Sequence, residues 1–241
     1  MKRRFSRGLL VNISFTGGKK IADSTIVPID FGPVEQTNDN GFQDGLFNRR
    51  LEKAVDPTDV ARRSVISLIY ELPFGLGKRW NPGNGIARKM VSGWQVNLIN
   101  VAQTGVPLTV RGANNFQADR PNSTGVSAQL DTRTPQRWFD TSQFVNPPAF
   151  TVGNVGRTIP DVRHPGAFNI DFSMIKDTQI TERIKLQFRA EVFNLSNRVN
   201  YGLANDSFGA GPDGRNASAT FGTIASSRDA RIGQLALKVI F

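Results

Sequence analysis

The chain has 241 residues, no cysteine, a single histidine and a formal net charge of +10. Without cysteine there is no disulfide, thiol nucleophile or zinc–thiolate centre, and one histidine is thin material for a metal site or an acid–base pair. Hydrophobic residues make up 39% of the chain, yet no run approaches the roughly 18 consecutive apolar residues of a membrane helix, which excludes helical spanning. Membrane strands escape that exclusion, because alternation halves their apparent hydrophobicity.

The N-terminus, Met1-Lys2-Arg3-Arg4-Phe5-Ser6-Arg7-Gly8, reads as lacking a cleavable export signal. From Gly8 to Thr16, Leu9, Val11, Ile13 and Phe15 alternate with polar residues, the pattern of a strand with one apolar face. Residues 17 to about 60 are rich in Gly, Pro, Asn and Asp and predict a long loop. Ser64 to Leu72 alternates again, with Ile66, Leu68, Tyr70 and Leu72 on one face, and stops at Pro73. Residues 73–92 read as a basic connecting turn carrying Lys78, Arg79, Arg88 and Lys89. Trp94, Val96 and Leu98 open a further strand that the pattern extends to Val110, interrupted near Gly105 and Pro107.

From about 112 to 165, recurrent prolines forbid long regular elements, which predicts a second long loop. Phe168, Ile170, Phe172 and Met174 mark a strand, followed by a turn around Asp177 to Thr181. Ile184, Leu186, Phe188, Ala190 and Val192 then alternate with Lys185, Gln187, Arg189 and Glu191, the cleanest period of two in the chain. A third Gly/Asn/Ser-rich loop covers 195–228. In the closing stretch Leu235, Leu237, Val239 and Phe241 share one face and Gln234, Ala236 and Lys238 the other.

The connections between these six strands run long, shorter, long, short, long. In an up-and-down sheet that order gathers every long loop at one end, as outer-membrane barrels do with extracellular loops and periplasmic turns. The expected fold is all-β: an antiparallel up-and-down transmembrane barrel segment with long extracellular loops. Lipid then faces the Leu186/Phe188/Leu237/Phe241 side. Water in the lumen faces Lys185, Gln187, Arg189, Glu191 and Lys238. Phe5, Tyr70, Trp94 and Phe241 fall at the periplasmic end, where an aromatic girdle belongs. Six strands are too few to close a barrel, so the chain reads as part of a larger wall. The competing reading is a soluble basic all-β module that binds polysaccharide or nucleic acid. The basic residues favour the barrel, since they sit on polar strand faces and in turns rather than in a stripe interleaved with exposed aromatics.

Chemistry-bearing patterns are sparse. His164 with Asp161 forms a nominal general-base pair, but amid Pro160, Pro165 and Gly166 it reads as a loop residue. Gly75-x-Gly77 and Gly83-x-Gly85 lack the context of a phosphate loop and read as turn punctuation. Asp56 and Asp59 read as cap or turn residues. Asn38-Asp39-Asn40-Gly41 with Asp44 has oxygen ligands for calcium but neither the further spacing nor the terminal glutamate, so a turn is the better reading. No catalytic residue, metal or cofactor is expected.

An ordered set of motifs covers nearly the whole chain: Arg3-Arg4-Phe5-Ser6-Arg7-Gly8-Leu9, Tyr70-Glu71-Leu72-Pro73-Phe74-Gly75 with Gly77-Lys78-Arg79, Gly93-Trp94-Gln95, Trp138-Phe139-Asp140, Phe144, Gly153-Asn154-Val155-Gly156-Arg157, Ile180-Thr181-Glu182-Arg183, Leu186 to Asn194, Phe221-Gly222-Thr223-Ile224 and the stretch from Arg228 to Phe241. In this set the chain resembles the C-terminal part of the β-barrel of Oar-like TonB-dependent receptors of the bacterial outer membrane. The resemblance implies a barrel of about 22 strands plugged from within, and energised substrate uptake through the TonB system. Contact with outer-membrane lipid and lipopolysaccharide is also expected, and the distribution of the basic residues argues for no nucleic-acid partner. Members carry a signal peptide, a carboxypeptidase-regulatory-like domain and a plug ahead of the barrel. The energy-coupling contact is therefore expected through that N-terminal part and not through these residues. Leu235, Leu237, Val239 and Phe241 are implied to form the signal read by the outer-membrane assembly machinery.

Overall fold

A computed structural model describes residues 2–6, 8–23, 49–75, 77–83, 85–112 and 120–241, and only the backbone of residues 2–6 and 49. Seven strands form one antiparallel sheet in strict sequence order: β1 (Lys2–Ser6), β2 (Leu9–Gly17), β3 (Arg62–Glu71), β4 (Trp94–Gln103), β5 (Ala167–Gln179), β6 (Lys185–Phe193) and β7 (Ile232–Ile240). Strands β2 to β7 are 9, 10, 10, 13, 9 and 9 residues long. That meets or exceeds the roughly 9–11 residues a tilted strand needs to cross a bilayer. The sheet is open, with β1 at one edge and β7 at the other.

The sheet holds seven strands, one more than the alternation predicts. The extra one, β1, carries Lys2-Arg3-Arg4 and so shows no apolar period. It doubles back onto β2 through a turn at Gly8 (φ 85°), with Ser6 opposite Leu9. Strand β4 stops at Gln103 and does not run on to Val110. A Cβ on Gly105 would lie 1.8 Å from the His164 carbonyl oxygen, so this close approach bends the chain out of the sheet. Pro107–Leu108 pairs instead with Ile159–Arg163. Strand β5 extends through Asp177 to Gln179, which moves the predicted turn to residues 180–184. The connection at 73–92 is more than a turn, since it contains helix α1 (Gly85–Val91). Phe241, expected as the last strand residue, lies one place beyond β7, whose final pair is Ile240 with Lys185.

Register places the side chains in two sets. On one face, rows such as Val11–Leu68–Leu98–Phe172–Val192 run from strand to strand. On the other, rows such as Asn12–Ser67–Ile99–Asp171 do so. Among the residues whose side chains are described, no strand of this sheet contributes to the buried apolar core, and the apolar face stays open: Phe15 is 69% exposed, Leu235 75% and Leu237 67%. A soluble sheet would cover such a face.

The core sits in the loops. The connections between β2 and β3, β4 and β5, and β6 and β7 all leave the same end of the sheet, and their described residues, 18–23, 50–61, 104–112, 120–166 and 194–231, fold into one cap. Phe139 packs edge-on against Phe144 and Phe221 at 6.0 and 5.1 Å, and Phe208 against Phe221 at 5.8 Å. Leu108, Val110, Val155, Ile159 and Val162 surround them. Among the described residues only short ladders are regular here, Ile21–Ala22 with Ala54–Val55 and Asn122–Ser123 with Phe144–Val145 among them. Among the described residues the absence of long elements predicted for these loops therefore holds, but their backbone is packed.

Candidate functional site

Buried ion pairs hold the cap together. Arg120 donates through Nη2 to both carboxylate oxygens of Glu52, at 2.5 and 2.6 Å, and both side chains are fully buried. Asp56 accepts from the Thr58 amide and hydroxyl in a tight turn and pairs with Lys20 at 3.2 Å and Arg157 at 3.9 Å. Asp59 accepts from the Lys20 amide and from Arg163 at 2.6 Å. The turn roles expected of Asp56 and Asp59 are present, and Arg157 and Arg163 of the second loop join them. Asp206 accepts from the Thr109 hydroxyl at 2.7 Å and ties the third loop to the second.

His164 and Asp161 are not brought together. Asp161 accepts from the Ser127 hydroxyl. The His164 Nδ1 accepts from the Ala204 amide at 3.1 Å, and burial pushes the imidazole down to about 4, against a smaller opposing effect of Asp206. Asp140 caps the single turn Thr141–Gln143; hydrogen bonds, the one from Gln143 largest, hold its carboxyl at about 2. No group of three or more metal-ligating side chains occurs among the described residues. The candidate calcium residues Asn38 to Gly41 and Asp44 lie outside them. Gly75 and Gly77 have φ of 116° and 73° and sit in a turn closed by the Phe74–Trp80 bridge, as punctuation requires.

An open cleft of about 630 Å³ lies in the cap between residues 50–55 and 123–161. Arg50 and Lys53 stand on one side and Ser123, Ser127 and Asn154 on the other, with Phe144 and Ile159 among its apolar lining. Two cations, the Asp161 carboxylate, hydroxyls and an apolar surface together suit an amphipathic small molecule arriving from the loop side. Sequence periodicity singles out no residue of this cleft as a ligand contact, because its walls come from segments about 70 to 110 positions apart.

Lys185, Gln187, Arg189, Glu191 and Lys238 share the more polar sheet face, Gln187 and Lys238 being directly paired. Lys185 and Gln187 both reach Asp177, at 2.6 and 2.9 Å, and Gln234 donates to Glu191 at 2.5 Å. Leu235, Leu237 and Val239 stand on the opposite, apolar face of the edge strand β7, opposite Ala190, Phe188 and Leu186. Tyr70 and Trp94 lie on that apolar face at the end away from the cap. Trp94 donates to the Met90 carbonyl at 3.0 Å, and the Lys176 ammonium lies 5.1 Å from its ring centre. Phe241, 92% exposed, is at the same end. Phe5 belongs to β1, and its side chain is outside the described residues.

A protein-family model described as an outer membrane beta barrel domain matches residues 1–234, and thus stops just short of Leu235 to Phe241. No curated protein and no solved structure matches the chain significantly. No helix among the described residues is long and apolar enough to cross a membrane, so any crossing falls to the strands. The outer membrane is the location this match supports, and the soluble-module alternative gives way. Open apolar face, bilayer-length strands and one-sided loops thus meet a match over nearly the whole length, and the chain belongs to the outer membrane beta barrel domain family.

Proposed function

We propose that these residues form part of the wall of a TonB-dependent, Oar-like receptor that takes up a substrate captured at its extracellular cap. Lipid lies against the Leu186/Phe188/Leu237 face. The lumen lies against Lys185, Gln187, Arg189, Glu191 and Lys238, a hydrated surface past which a polar solute can move. Tyr70, Trp94, Phe5 and Phe241 form the periplasmic girdle. Leu235, Leu237, Val239 and Phe241 are read by the assembly machinery during insertion. The rest of the barrel and a plug complete the pore, and the energy-coupling contact belongs to the plug side.

One observation carries this reading most. The described residues of all three long connections converge into a single packed cap with its own core and an accessible cleft, on a sheet whose strands match bilayer thickness. A purely structural barrel needs no such cap. Cells lacking this protein, cells lacking the energy coupler and wild-type cells should be compared for the solutes they deplete from the medium. The two deletions are expected to spare at least one common solute. A solute whose depletion depends on this protein but not on the coupler would overturn energised uptake.

A further inference from the structure

At the cap end of the apolar sheet face, one row of side chains crosses four strands in register: Phe15, Ser64, Ala102 and Phe168. Two small residues stand between two aromatic rings, which leaves a notch in the wall. The next row toward the bilayer centre, Ile13–Ile66–Asn100–Ile170, is apolar except for Asn100, whose amide donates to the Asn169 carbonyl at 2.9 Å. Above the notch stand two arginines. Arg62 opens β3, its amide bonded to the Thr104 hydroxyl at 3.2 Å. Arg198 sits in the turn after β6, with its guanidinium carbon 5.4 Å from the Phe168 ring centre.

Arg198 is held there. Asn194 accepts from the Arg198 amide at 3.1 Å and donates to its carbonyl at 3.0 Å. Asn200 bonds both backbone groups of Phe168, at 2.8 and 2.9 Å. Arg62, Arg198, the two rings, Ser64 and Thr104 line one open cavity of about 380 Å³ that contains no acidic residue. Among the described residues, neither guanidinium is in an ion pair, in contrast to Arg120, Arg157 and Arg163 in the same cap.

We propose that this notch binds a phosphorylated glycolipid of the outer leaflet. Its phosphate meets Arg62 and Arg198, whose planar guanidinium groups present paired donors that match phosphate oxygens. Its sugar hydroxyls meet Thr104 and Ser64, and an acyl chain descends over Ser64 and Ala102 between the rings. Charge complementarity selects the occupant: two cations without counter-charges stand where an outer-membrane wall meets the headgroup layer, and anionic headgroups attract basic side chains there. The inference rests on reading this face as lipid-facing.

The test uses the protein extracted from outer membranes in a non-ionic detergent, with binding read by native mass spectrometry against added phosphorylated glycolipid. The Arg62→Ala/Arg198→Ala double variant should bind at least tenfold more weakly. Ala102→Trp, which fills the notch but keeps both arginines, should also bind more weakly. Arg88→Ala/Lys89→Ala, at the opposite end of the sheet, should bind as wild type. Undiminished binding by the double variant, or equal binding of the dephosphorylated glycolipid, would overturn the proposal. Full competition by an equal concentration of inorganic phosphate would show a bare anion site and overturn the lipid assignment. A cysteine at Phe188 separates the two failures: protection from maleimide with no lipid bound sinks this inference alone, whereas free labelling sinks the lipid-facing reading beneath it.

Discussion

Glu52→Gln isolates the linkage that joins the first long loop to the second. The carboxylate and the Arg120 guanidinium are both 0% exposed, and one nitrogen bonds both oxygens. The substitution preserves shape and leaves a buried cation without its counter-charge. Two unit charges about 4 Å apart attract by about 4 kcal/mol at an effective dielectric near 20. Removing one member of a buried pair costs about 3–5 kcal/mol. At about 1.4 kcal/mol per decade, the population of open cap should rise roughly 10²- to 4 × 10³-fold. Proteolysis and amide exchange follow that population when reclosing is fast. Protein in outer-membrane vesicles should therefore show faster exchange in peptides spanning 120–128 and 153–162, with the sheet unaffected. Adding Arg120→Met should recover much of the protection, since replacing both charges removes the desolvation cost as well. Salt should matter little, unlike for the half-exposed pair Lys78–Glu71. Cap exchange within threefold of wild type in Glu52→Gln would refute the assignment of this pair as the lock.

The cap should also loosen in acid through His164. Its neutral form accepts the Ala204 amide, and its folded value, about 4, lies below the ordinary 6.5. That contribution is complete above pH 6.5 and is lost as pH falls toward 4, a change of about 3 kcal/mol; a His164→Asn cap with the same pH profile would contradict it. Phe139→Ala removes a fully buried ring at the centre of the aromatic cluster and should destabilise the cap by about 3–5 kcal/mol. A change below about 1 kcal/mol in its denaturant midpoint analysis would show that the cluster does not hold the cap. Gly93→Ala should weaken the junction of β4 and β5: Gly93 has φ 75° and its Cβ would lie 2.1 Å from the Asp177 carbonyl oxygen. Exchange at the Asp177 amide, which donates to the Gly93 carbonyl, should rise, and an unchanged rate would count against the close-packing argument.

Where side chains alternate, the fold is legible in the sequence, because a strand with one face toward lipid imposes a period of two whatever its neighbours are. Leu186 to Val192 and Leu235 to Val239 display their two faces through their own side chains alone. Strand β1 is hidden because its charged residues supply no apolar period, and only pairing with β2 makes it a strand. The cap is hidden for a different reason. Leu108, Phe139, Phe144, Phe208 and Phe221 follow no local period, and Glu52–Arg120 and Asp59–Arg163 join residues 68 and 104 positions apart. Proline and glycine correctly forbid long elements there, but they carry no information on packing. The motif residues Phe139, Phe144 and Phe221, scattered in sequence, turn out to be the cap's aromatic centre.

The central claim is that the two sheet faces see lipid and water respectively. The chain has no cysteine of its own, so single cysteines at Leu186, Phe188, Gln187 and Arg189 report without background in intact outer membranes. Membrane-impermeant maleimide on cells opened from both sides should label the Gln187 and Arg189 positions and spare the Leu186 and Phe188 positions; equal labelling at all four would contradict the account.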